Sequence, residues 1–174
     1  MTMPIAINIP FEKAFKDTTR LGSKVPTSSY LKEGRIPVVD QGKEFISGYV
    51  DDDSVAYEGS FPVIIFGDHT RIIKFIDFDF AMGADGVKVL TPTDLYLPKF
   101  LYFYLKAHPI EEAGYSRHFK YLKQMLFPDI SIEDQSEVVR VMSQAEHVSD
   151  LCKLALEKSN TLVTSMFYEM FNRD

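Results

Sequence analysis

The chain has 174 residues and a formal net charge of −6, and its 45% apolar and 13% aromatic content suffices to fill the core of one domain, with or without an appendage. It holds no run of 18 or more apolar residues and no charged leader before an apolar run, so neither a membrane span nor a secretory signal is expected. The single cysteine, Cys152, excludes an internal disulfide, and the acidic balance argues at face value against a polyanionic partner; a soluble cytoplasmic protein is the expectation.

Residues 1–30 mix Pro4, Pro10, Gly22, Pro26 and the Thr27-Ser28-Ser29 cluster around one helix-compatible piece, Phe11 to Phe15, and read as an irregular lead-in. Ile36 to Val39 is a short strand candidate ending in the polar turn Asp40-Gln41-Gly42, and Phe45 to Val50 is another. The triplet Asp51-Asp52-Asp53 is sequential rather than spaced to converge, which favours a solvated turn over a metal ligand set. Val63-Ile64-Ile65-Phe66, between Pro62 and Gly67, reads as a strand buried on both faces. A turn at Gly67-Asp68-His69-Thr70 follows. From Lys74 the period becomes two: Ile76, Phe78 and Phe80 point one way, Phe75, Asp77 and Asp79 the other. After the Asp85-Gly86 turn comes a third strand, Val87 to Leu90, so a small β-rich core with polar hairpin tips is expected.

Pro98 opens a helix-like segment, Lys99 to Lys106, whose apolar residues run nearly all round and call for burial against the sheet. The run Gly114 to Lys123 then interleaves three aromatics with a histidine, an arginine and two lysines. Such a run suits a phosphate backbone and base faces, but equally an amphipathic helix whose aromatics are core and whose lysines are solvated.

Ser131-Ile132-Glu133-Asp134 has the form of a helix N-cap, and no Gly or Pro occurs after Pro128, so one helix should run from about Glu133 to Phe171. Steps alternating three and four pick out Val138, Val141, Ala145, Val148, Cys152, Ala155, Ser159, Leu162 and Met166, an apolar stripe of period 3.5. A helix of this length outreaches a compact domain and must find a partner. It also carries the acidity: residues 129–174 hold 4 Lys and Arg against 9 Asp and Glu, a balance of −5, whereas residues 1–128 hold 15 against 16, a balance of −1.

The series Ile36 to Gly42, Pro62 to Thr70 and Gly83 to Leu90, continued by Leu101 to Leu105, Gly114 to His118 and Phe127-Pro128 through Glu133-Asp134-Gln135, resembles a target recognition domain of the DNA-specificity subunit of type I restriction-modification enzymes. The resemblance covers roughly residues 30 to 171. It implies an α/β chain with a small β-rich target recognition domain over residues 1–130 and one long coiled-coil-type C-terminal helix over 131–174. It implies a non-catalytic module that reads one half of a split sequence in double-stranded DNA, and a helix that docks a methyltransferase subunit and, through it, a restriction subunit. Subunits of the family carry two recognition domains and two spacer helices; this chain has one of each and looks like a half subunit, so a homodimer through the C-terminal helix is expected. No cofactor is implied. The alternative is a truncated remnant that only dimerises or binds methyltransferase.

The resemblance puts DNA contacts in loops, and the loops with hydrogen-bonding side chains offer Gln41, Lys43, Asp68, His69, Thr70, Arg71, Tyr115, Ser116, Arg117, His118, Lys120 and Lys123. Gln41 has the groups to pair with adenine, and Arg71 or Arg117 those to pair with guanine, while Lys43, Lys120 and Lys123 suit phosphates. For Asp68 and His69 the competing role is a structural turn, and Tyr115 is equally a core candidate. On the helix the partner-facing set is Val138, Val141, Ala145, Val148, Cys152, Ala155, Leu162 and Met166. A hydrolytic triad of Asp68, His69 and Ser116 or Cys152 is a poor alternative, because an adjacent Asp-His pair cannot orient as those triads do.

Overall fold

The computed structural model describes residues 6–111 and 117–171. It has two compact units, Met1–Ser136 and Glu137–Asp174.

Among the described residues of the first unit, ten strands form three sheets, accompanied by three short or medium α-helices, three 3-10 turns and the start of one long helix. The strands are β1 (Ile7–Pro10), β2 (Phe15–Asp17), β3 (Lys24–Val25), β4 (Ile36–Val39), β5 (Gly48–Val50), β6 (Val63–Gly67), β7 (Ile73–Ile76), β8 (Ala81–Gly83), β9 (Val87–Pro92) and β10 (Leu126–Pro128); the α-helices are α1 (Phe11–Ala14), α2 (Pro98–Ala107), α3 (Phe119–Leu122) and α4 (Ile132–Phe171), which begins here and continues into the second unit. One sheet has the order β2-β9-β6-β7, all antiparallel. A second has the order β3-β8-β4-β5, in which β8 runs parallel to both β3 and β4. The pair β1-β10 forms the third.

Strand β6 is buried throughout, and its alternation explains why every residue is apolar. Val63 and Ile65 enter a cluster with Val39, Ile76, Phe80, Met82, Val87 and Val89, which belongs to both four-stranded sheets. Ile64 and Phe66 alternate with them and are equally buried, and the Phe66 ring lies 6.3 Å from that of Phe119. Helix α2 starts with Pro98 in its first turn and buries Phe100, Leu101, Phe103 and Leu105. Phe15, Tyr96 and Tyr104 surround Phe127 at ring distances of 5.6, 6.3 and 5.3 Å.

Four expectations are corrected. Residues 6–30 are not an irregular lead-in: β1, β2 and β3 each join a different sheet around the short helix α1 expected at Phe11, and Phe11, Ala14, Phe15 and Val25 are core. The alternating strand from Lys74 leaves the ladder after Ile76, although burial still alternates to Phe80, because the chain crosses there to form β8 in the other sheet. The strand expected over Phe45 to Val50 shrinks to its last three residues. The strand after Asp85-Gly86 pairs with β6 on the side away from β7, so that turn links two sheets instead of closing a hairpin.

At the end of this unit Ser131 caps α4, its hydroxyl accepting the Asp134 N–H at 3.1 Å and donating to the Asp134 carboxylate at 2.9 Å. Gln135, fully buried, is a plug the sequence did not announce. Its carbonyl accepts the Leu97 N–H at 2.8 Å, and its amide donates to the carbonyls of Leu95 (3.0 Å) and Ile130 (3.1 Å).

Among its described residues the second unit is helix alone. Val138, Val141, Val148, Leu162 and Met166 of the stripe are exposed, as are Ala145, Cys152 and Ala155. A second exposed apolar row, Met142, Leu156, Val163 and Met170, repeats at multiples of seven beside the first. Solvated pairs at i,i+3 spacing, Arg140 with Glu137 (2.6 Å) and Lys153 with Asp150 (2.9 Å), lie on the helix surface.

Candidate nucleic-acid interface

Three loops are tied into one platform by Gln41. Its Nε2 donates to the Asp85 carbonyl (3.0 Å), its Oε1 accepts the His69 N–H (3.1 Å), and its main-chain carbonyl accepts the Thr70 hydroxyl (2.7 Å). Gly86 makes this approach feasible. It has φ +83°, and a Cβ there would lie 2.4 Å from the Gln41 Nε2. The expected adenine reader is therefore engaged at both ends of its amide.

Below the platform sits Lys74, 4% exposed on β7. Its ammonium donates to the carbonyls of Asp40 (2.8 Å) and Glu44 and lies 3.9 Å from the Asp40 carboxylate. Burial pushes its pKa down, opposed by the charges of Asp40 and Glu44. Asp40 Oδ1 in turn accepts the Gly42 N–H (2.7 Å) and the Ser47 hydroxyl (2.6 Å), which fixes the 40–47 loop.

Asp68 and His118, two of the expected DNA contacts, are built into the framework of the domain. Asp68 is 4% exposed; its carboxylate accepts the Phe119 N–H (2.8 Å), and its carbonyl accepts the His118 N–H (2.8 Å) and, in the matching tautomer, the ring Nδ1–H (3.1 Å). His118 is buried. The aspartate thus holds the start of α3 against the β6–β7 turn, and neither group is available to a ligand. Arg71 sits in the left-handed region at φ 61° and its Nη1 donates to the Ile110 carbonyl (3.1 Å), so the guanidinium is drawn toward the 108–110 loop. Tyr115 and Ser116 lie outside the described residues.

What remains outward is Lys43, His69, Thr70, Arg117, Lys120 and Lys123, all exposed. Phe119, between the last three, is core, as in the amphipathic-helix alternative, and the lysines are solvated. The Asp85 carboxyl is held below its usual range, first by a hydrogen bond from Lys24 and then by that lysine's charge, with Arg117 and His69 adding to it. Lys24 was not foreseen, nor was Lys88, whose ammonium lies over the Phe119 ring. For Lys88 a signal existed: in Val87-Lys88-Val89 it must face away from the core side of the strand.

The triad alternative finds no support, since the Asp68 carboxylate is spent on a backbone N–H and Cys152 lies on α4. The acidic triplet forms a solvated turn in which Asp52 accepts the N–H (2.9 Å) and hydroxyl (2.6 Å) of Ser54. Among the described residues no group of three His, Cys, Asp or Glu converges as a metal site.

No family model matches the sequence. The chain is 33% identical over 133 residues to the specificity subunit of the Escherichia coli type I restriction enzyme EcoR124I/EcoR124II, an alignment spanning 69% of this chain and 33% of that subunit. Among solved structures, its fold matches a chain from a study of type I R-M system assembly (TM-score 0.64, 16% identity, 91% of this chain and 42% of the other). It also matches the type I restriction-modification S subunit from M. genitalium (TM-score 0.62, 15% identity, 95% of this chain and 46% of the other). The chain thus spans about a third of the curated relative's length and less than half of each solved chain. On sequence and fold together, the chain belongs among the specificity subunits of type I restriction-modification systems, over about a third to a half of such a subunit's length.

Proposed function

We propose that the chain is a non-catalytic, sequence-specific DNA recognition module whose domain, residues 1–130, reads DNA and whose helix, residues 131–174, holds protein partners. The observation that carries this is the 33% identity over 133 residues to a type I specificity subunit. The mechanism is positioning: the module fixes a methyltransferase subunit, and a restriction subunit through it, at a chosen cytoplasmic DNA sequence, and the chemistry belongs to those partners. Lys43, Lys120 and Lys123 act as phosphate contacts, and Arg117 and His69 are the base-facing candidates left once the platform has engaged Gln41, Asp68, Thr70, Arg71 and His118.

The exposed apolar rows of α4 support the assembly role. An antiparallel pair with a second copy covers the Val138–Met166 stripe, and the adjoining Met142–Met170 row leaves apolar surface for a further helix, such as one of the methyltransferase. A two-fold homodimer presents the same loops twice, so its target is an interrupted palindrome. The 40 residues of α4 span roughly 60 Å, about 18 base pairs at 3.4 Å each, which bounds the separation of the two domains.

Mapping methylated adenines after co-expression with the cognate methyltransferase tests both levels. The expected motif has two short inverted-repeat halves around a fixed spacer. Halves that are not inverted repeats would replace the homodimer by pairing with a different specificity chain, and no sequence preference at all would overturn the recognition role.

A further inference from the structure

An open groove of about 480 Å³ lies at the junction of the two four-stranded sheets, lined by Arg20, Lys24 and Lys88 together with Asp17, Thr19 and Met82. The Asp17 carboxylate is turned toward its own chain, accepting the N–H (3.1 Å) and hydroxyl (2.5 Å) of Thr19. Lys24 reaches Asp85 at 3.0 Å, but both side chains are largely exposed, so a polyanion can compete for that lysine. Lys88 leaves the strand on the face opposite Val87 and Val89, and its Nζ stands 4.9 Å from the centroid of Phe119; the Nζ of Lys123 stands 5.0 Å from the same ring. Phe119 is itself pinned by the bond from its N–H to Asp68. One rigid ring therefore joins the groove lysine to α3, and the field at Asp85 joins Lys24 to Arg117 and His69.

We propose that this groove is a phosphate track continuous with the exposed side of α3, in which Arg20, Lys24 and Lys88 hold the backbone of duplex DNA beside the base-facing loops. The proposal rests on the DNA-recognition reading and extends it to three residues outside those loops. Phosphate, rather than a base, is the ligand that fits: two of the three groups are point-charge ammoniums, the groove is open, its lining holds no aromatic among the described residues, and the Phe119 ring beneath Lys88 is buried and has no free face for stacking. The track fixes register and carries no sequence preference.

The test uses the full chain and a fluorescent random-sequence duplex, with affinity followed over roughly 20 to 150 mM salt. Arg20→Ala/Lys24→Ala/Lys88→Ala should reduce the slope of log K against log salt by nearly three, about 0.9 per lost contact. Lys13→Ala/Lys99→Ala/Lys106→Ala, an equal change in charge at exposed positions on α1 and α2, should leave it unaltered. Lys88→Gln alone should reduce the slope by about one, which guards against a fold defect in the triple variant. An equal loss in the control variant would reduce the effect to diffuse charge and overturn the track. An unchanged slope in the groove variant, with a slope lowered by Arg117→Ala, would remove the groove and leave the recognition reading standing. Failure of the parent chain to bind duplex even at the lowest salt would sink both, and binding of structured RNA alone would overturn the duplex.

Discussion

The two units of this chain treat their side chains in opposite ways. In the domain even strongly polar groups are turned inward: Lys74, Asp68 and His118 are buried and bond to backbone groups of neighbouring loops, although the His118 Nε2 has no partner among the described residues. On α4 the reverse holds, since among its described residues the one buried side chain is the amide of Gln135, while valines, leucines and phenylalanines stand in solvent. Each buried polar group of the domain must be satisfied or it costs about 1–3 kcal/mol, so its loops are fixed in advance of any ligand. Exposed apolar rows have no such closure. The domain closes over its own side chains, and the helix leaves its apolar rows uncovered.

The largest effect should come from putting a charge into the helix rows. Val148, 58% exposed, lies near the middle of α4, and Val148→Asp should cost on the order of 4 kcal/mol of association once that row is covered, nearly a thousandfold. Thermal stability of the domain should not change. Sedimentation that finds the variant as dimeric as its parent would place the contact elsewhere.

Next in size is the one residue of α4 that behaves like the domain. Gln135→Ala leaves the Leu97 N–H and the carbonyls of Leu95 and Ile130 without their partner, which should destabilise the domain by about 3 kcal/mol. Urea unfolding of the full chain measures it. A change under about 0.5 kcal/mol would mean that water replaces all three bonds.

An alkaline titration probes the domain's interior from another side. Tyr96 is 5% exposed and donates to the Pro128 carbonyl at 2.8 Å; its hydroxyl is pushed from 10.0 up to about 12, first by burial and then by Asp129 and Tyr104. The folded state thus resists ionisation, so this stabilisation is whole below pH 10 and is lost as pH rises from 10 towards about 12, about 3 kcal/mol in all. Tyr96→Phe should flatten that limb of the unfolding midpoint against pH. Parallel curves for the two proteins would show that Tyr96 does not set it.

How far the sequence discloses each region follows from the range of the interactions that define it. Strand β6, helix α2 and helix α4 are legible because each is specified locally: β6 by an unbroken apolar run between Pro62 and Gly67, α2 by Pro98 ahead of a run apolar nearly all round, and α4 by its 3.5-residue stripe and the Ser131 cap. Strand β3 is two residues, too short to show a period, and it exists because Met82 and Gly83 pair with it. The residue types of the binding loops were legible, but their use was not. Gln41 looks like a base reader until His69 and Asp85, 28 and 44 residues away, take its amide, and nothing near Asp68 foretells the N–H of Phe119, 51 residues on.

That distinction gives the smallest and most specific prediction. Arg117 and Asp68 both belong to the expected DNA-binding set, yet one is exposed and the other is 4% exposed, so substituting each should have opposite signatures. Arg117 lies close enough to Asp85 to lower that carboxyl, but Lys24 is the dominant influence there, so the guanidinium is not needed to keep the loop in place. Arg117→Ala should therefore leave the melting temperature within about 1 °C of the parent while weakening DNA binding by the methyltransferase complex by about 1 kcal/mol, roughly fivefold. Asp68→Ala removes the acceptor for Phe119 and should instead cost about 2 kcal/mol of folding stability, with any loss of DNA affinity following from the loosened start of α3. If Arg117→Ala left affinity unchanged, it would leave the recognition surface; if it lowered stability as Asp68→Ala does, the division between outward readers and inward framework would be drawn in the wrong place.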